Sequence, residues 1–77
     1  MLGGKSTKSV VKWFNDDKGF GFIEYKPNED IFVHYSSIID KENEHKSLIL
    51  GEYVEFELVK TKNGYKAKNV KYIKETE

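Results

Sequence analysis

The residues best suited to chemistry in this chain are rings, and they recur at a spacing of two. Phe20 and Phe22 lie in Lys18-Gly19-Phe20-Gly21-Phe22-Ile23, and Phe32 and His34 lie in Ile31-Phe32-Val33-His34-Tyr35. In a strand, alternate side chains share a face. Phe20 and Phe22 therefore stand together, with Gly19, Gly21 and Ile23 on the reverse. Ile31 and Val33 make a natural core pair, which leaves Phe32 and His34 opposite them. The first run by itself leaves two readings open. Either its rings fill a core while the glycines admit another strand close behind, or the rings stand outward as a stacking platform.

Other chemistry has little to work with. His34 has no second histidine, serine or carboxylate pattern near it in sequence that forms a recognisable triad. The chain has no cysteine, so disulfides and thiolate metal sites are excluded. Asp40, Glu42 and Glu44 lack the spacing of an EF-hand loop, and no GxxxxGK[ST] phosphate loop is present. The expectation is a protein that is not an enzyme and uses no metal, cofactor or small-molecule substrate. There is no arginine either, so every cationic contact must come from a lysine point charge rather than a bidentate fork.

The elements that position these residues must fit within 77 residues, enough for one domain. A domain of this size buries only about 60% of its unfolded surface. No apolar run approaches the roughly 20 residues of a membrane span, and Met1-Leu2-Gly3-Gly4-Lys5 lacks the apolar stretch of a signal peptide. A soluble, cytoplasmic protein without membrane contact is the expectation. Net charge is zero but unevenly distributed: residues 1–26 carry +2, residues 27–57 carry −6 and residues 58–77 carry +4. If the fold brings both ends onto one face, that face is positive despite the neutral total.

Residues 1–9 mix Gly, Ser, Thr and Lys without periodicity and read as a flexible basic arm. Val10–Asn15 is β-branched and aromatic, and Asn15-Asp16-Asp17-Lys18-Gly19 supplies turn formers. The next strand runs from about Lys18 to Tyr25, Pro27 and its neighbours end it, and Ile31–Tyr35 forms a third. Three such strands in a meander make Phe20, Phe22, Phe32 and His34 neighbours on one surface. Ser36–Ile39 suits a short helical turn, and residues 40–46 read as a charged loop. Beyond Gly51, Val54, Phe56 and Leu58 share a buried face, with Tyr53, Glu55 and Glu57 opposite. Asn63-Gly64 marks a hairpin, and Tyr65–Ile73 is the last strand. Its lysines Lys66, Lys68, Lys71 and Lys74 break strict alternation, so a bulge is expected there. Five short strands with almost no helix point to a small closed barrel.

KWFNDDKGFGFI at Lys12–Ile23 followed by DIFVHY at Asp30–Tyr35 closely resembles the cold-shock domain family, with its two ribonucleoprotein-type motifs. GEYVEFELV at Gly51–Val59 and NGYKAKNV at Asn63–Val70 are similar to the family's fourth and fifth strands. The resemblance implies an all-β, five-stranded antiparallel oligonucleotide-binding (OB-fold) barrel. It covers roughly residues 10–73, and with the arm read from composition the chain divides into an arm at 1–9, a domain at 10–74 and a frayed tail at 75–77. It also implies binding of single-stranded RNA and DNA, and the expectation is a monomer that acts as an RNA chaperone. By the same resemblance Lys12, Trp13, Lys18, Phe20, Phe22, Phe32, His34 and Tyr35 fall on binding positions. His45 stands where many relatives carry a phenylalanine, and Lys66 and Lys68 replace residues that are often small and neutral; these three complete the candidate set. Stacking an unpaired base on an aromatic side chain is worth about 1–3 kcal/mol with little dependence on the base. The residues also leave a second function open, a protein-interaction module using the same aromatic patch.

Overall fold

The structure is a computed structural model that describes residues 5–39 and 47–73. Among these residues five strands run in the order β1 (Lys5–Asn15), β2 (Phe20–Lys26), β3 (Glu29–His34), β4 (Tyr53–Thr61) and β5 (Gly64–Tyr72), with a 3-10 turn at Tyr35–Ser37. They close a barrel in the spatial order β1-β2-β3-β5-β4. All pairings are antiparallel except the short β3–β5 contact, which is parallel. Closure removes the open sheet edges that a meander would expose.

Alternation decides what fills the barrel. Ile23, Ile31, Val33, Val54 and Phe56 point inward, joined by Val11, Ile38, Ala67 and Val70, and each is 2% exposed or less. Leu58 packs against this cluster as the period-two pattern predicts. Ile38 bridges to Val70 and draws the chain after the 3-10 turn across the barrel.

Two boundaries differ from the sequence reading. The arm expected at 1–9 is replaced from Lys5 onward by β1, whose first six residues pair with β4 from Lys5↔Leu58 to Val10↔Tyr53. Lys5-Ser6-Thr7-Lys8-Ser9 has no apolar residue to set a period, so backbone pairing that completes the barrel leaves no trace in the hydrophobic pattern. Residues 1–4 and 74–77 lie outside the described residues. Lys18 and Gly19 belong to the turn before β2, where the Lys18 amide donates to Asn15 Oδ1 at 3.0 Å and the Gly19 amide to the Asn15 carbonyl at 2.7 Å.

The bulge expected in β5 is present. Glu57 pairs with Lys68 but Glu55 with Lys71, so three steps on β5 span two on β4, and Asn69 takes up the difference at φ 54°. This turns both Ala67 and Val70 inward.

Candidate nucleic-acid interface

A second bulge, invisible to strict alternation, builds one edge of the site. In the β1–β2 ladder Val11 opposes Ile23 and Trp13 opposes Phe22, so Lys12 is an extra residue on β1. Period two from the buried Val11 would send Trp13 into the barrel. The bulge instead leaves Lys12 and Trp13 both exposed and turns Phe14 in against the core. Trp13 is thereby aimed onto the outer surface of β2.

There it meets the rings that the period of two predicts. Phe22 pairs with Phe32 and Phe20 with His34 across β2 and β3. Trp13 lies 5.7 Å from Phe20 and 5.5 Å from Phe22 between ring centroids, and Phe32 lies 5.9 Å from both phenylalanines. Offset and edge contacts at such distances are favourable arrangements of aromatic quadrupoles. The rings are still only partly covered: Trp13 and Phe32 are each 39% exposed, and Phe20 and Phe22 are half-buried.

The glycines between the rings are explained by what lies behind them. Gly21 pairs with Phe14, and a Cβ there would run into the Trp13 carbonyl and stand 2.7 Å from Phe14 Cα. Gly19, at φ +76°, lies under Tyr35, whose Cδ2 would be 2.5 Å from an added Cβ. The Tyr35 amide donates to the Gly19 carbonyl at 2.9 Å, which ties the exposed Tyr35 to the turn before β2. One feature of each reading holds: the strands approach closely behind the glycines, and the rings face outward.

Tyr35 leaves β3 and begins the 3-10 turn, with its ring 4.5 Å from that of His34. His34 caps that turn. Its Nδ1 accepts from the Ser36 amide at 3.2 Å and lies 2.9 Å from Ser36 Oγ. An amide can only donate, so the neutral imidazole carries its proton on Nε2.

The candidate lysines are less alike than their sequence positions imply. Lys12 reaches from β1 across β2 to Asp30 on β3, with Nζ 3.1 and 3.3 Å from the two carboxylate oxygens. Asp30 was missed as a member of this surface, although the alternation that groups Phe32 with His34 also includes it. Lys18 is exposed in the turn before β2, Lys66 stands beside Phe32 in the β3–β5 ladder, and Lys68 opposes Glu57. His45 lies outside the described residues. Among the described residues, the two basic segments of the chain are kept apart by β4. The acidic β4 sits between β1 and β5, with Glu55 opposite both Lys8 and Lys71.

What this arrangement offers is a partly exposed cluster of aromatic rings across three strands, with Lys66 beside Phe32 and the Lys12–Asp30 pair along its border. Residues 7–73 match the family described as "'Cold-shock' DNA-binding domain". Among curated proteins the chain is similar to the cold shock protein CspA of Staphylococcus aureus, 49% identical over 63 residues, covering 82% of this chain and 92% of the relative. The cold shock proteins CspA of Staphylococcus haemolyticus and Staphylococcus saprophyticus match at the same 49% identity over 63 residues, with the same 82% and 92% coverage.

Proposed function

The chain belongs to the cold-shock DNA-binding domain family, whose members bind nucleic acid, and we propose that it binds single-stranded RNA and DNA and acts as an RNA chaperone without catalysing a reaction. The observation that carries this reading is the contiguous set Trp13, Phe20, Phe22 and Phe32, with ring centroids of neighbours 5.5–5.9 Å apart and partly exposed on the outer surface of β1–β3. Paired bases hide their faces in a duplex; unpaired bases expose them. A surface that gains about 1–3 kcal/mol for each stacked base therefore favours the unpaired state. His34 and Tyr35 extend the cluster toward the 3-10 turn, and Lys18 lies by the turn that leads into β2.

Chaperone action follows from mass action. A ligand that binds only the open form of an RNA hairpin shifts the population toward that form, and no nucleotide needs to be hydrolysed. Among the described residues the strands close into a barrel, which leaves little strand edge for pairing with a second chain and supports a monomer. The test is a marginally stable RNA hairpin labelled at both ends with a fluorophore and quencher. Adding the protein without nucleotide opens it in proportion to the protein present; a hairpin that stays closed at saturating protein contradicts the proposal.

A further inference from the structure

Three lysines of the candidate set stand on the strands that carry or flank the rings, and the fold gives them different neighbours. Lys12 has its ammonium between both oxygens of Asp30. Lys68 faces Glu57 across the β4–β5 ladder. Lys66 has Phe32 on one side and Val59 on the other, neither of them charged. Among the described residues Lys66 makes no ion pair.

The row of rings also has a direction. Trp13 on β1, Phe22 on β2 and Phe32 on β3 are successive ladder partners, and the next partner in the row is Lys66 on β5. The adjoining row holds Glu24 and Asp30, paired with each other. Bases lying along the rings thus have an acidic border on one side and an uncommitted ammonium at the far end. A polyanion follows the more positive route. An exposed pair such as Lys12–Asp30 is weak, but a phosphate that displaces Asp30 leaves a bare carboxylate beside itself.

Resting on the single-strand reading above, we propose that the phosphodiester backbone of the bound strand is held by Lys66, at the β5 flank of the platform, and that Asp30 withholds Lys12 from it. The aromatic site thereby extends onto a fourth strand, and the lysine within the first motif is a restrained partner of Asp30 rather than the principal phosphate contact.

The experiment is a fluorescence titration of the full chain with single-stranded oligothymidylate at a series of salt concentrations. The slope of log K against log salt reports about 0.7 for each phosphate neutralised on a single strand. Lys66→Gln is expected to make the slope shallower by about 0.7, and Asp30→Asn to make it steeper by about 0.7 as Lys12 is released. Both positions are exposed, and circular dichroism checks that each variant retains the parent fold. A parent chain that binds with an unchanged slope in either variant overturns this assignment alone. A parent chain that does not bind the oligothymidylate overturns the single-strand reading and this inference with it.

Discussion

Phe14 Cα lies 2.7 Å from where a Cβ on Gly21 would stand, and the Trp13 carbonyl is nearer still. The obstacles are backbone atoms, so they cannot rotate away as a side chain can. Gly21→Ala is therefore expected to push β1 off β2 and to cost about 1–3 kcal/mol or more, as overpacking does. Thermal unfolding measures the loss. Because Trp13 is carried on the displaced segment, its emission in the folded variant should shift as well.

Phe56 and Phe32 are the same residue type in opposite roles. Phe56 is 2% exposed in the core, and Phe56→Ala is expected to cost about 3–5 kcal/mol, a large share of the stability of a small domain. Phe32→Ala removes ring contacts to Phe20 and Phe22 but no core, so stability falls by about 1 kcal/mol. Oligonucleotide affinity in that variant should fall by about 1–3 kcal/mol. Denaturant unfolding and binding titrations on both variants separate the two roles.

The His34 ring is expected in the Nε2–H tautomer, because Nδ1 accepts from the Ser36 amide. Nitrogen-15 NMR of the neutral ring should show an unprotonated Nδ1 and a protonated Nε2. Ser36→Ala removes the hydroxyl but keeps the amide, so the tautomer should persist in that variant.

Asn69 holds the β5 bulge at φ 54° and donates from Nδ2 to Glu57 Oε1 at 2.9 Å. Asn69→Ala places a residue poorly suited to left-handed backbone at that position. It is expected to destabilise the barrel by about 1 kcal/mol from the backbone conformation, with loss of the hydrogen bond in addition. The midpoint of denaturant unfolding reads this out.

Where burial imposes a period, the sequence was readable. Ile31 with Val33, and Val54 with Phe56, alternate because one face of each strand fills the barrel, and that same alternation placed Phe20, Phe22, Phe32 and His34 outside. The β5 bulge was legible because its lysines interrupt the period. Three features left no such mark. Residues 5–9 join β4 by backbone pairing with polar side chains, so no hydrophobic rhythm announces them. The bulge at Lys12 shows only in the register against Ile23 and Phe22, a property of two strands together. The Lys12–Asp30 pair spans three strands, and its partners are 18 positions apart. Nothing local distinguishes Lys12 from Lys66; what differs is the neighbour that the barrel brings to each.

Trp13 is the sole tryptophan and sits in the row of rings, so its fluorescence is a direct reporter of occupancy. The most direct test of the stacking platform is titration of the chain with an oligothymidylate single strand and, separately, with the same strand annealed to its complement. Saturable quenching by the single strand, with much weaker binding of the duplex, is the expected result. Unquenched Trp13 at saturating single strand, or equal affinity for the two forms, contradicts it.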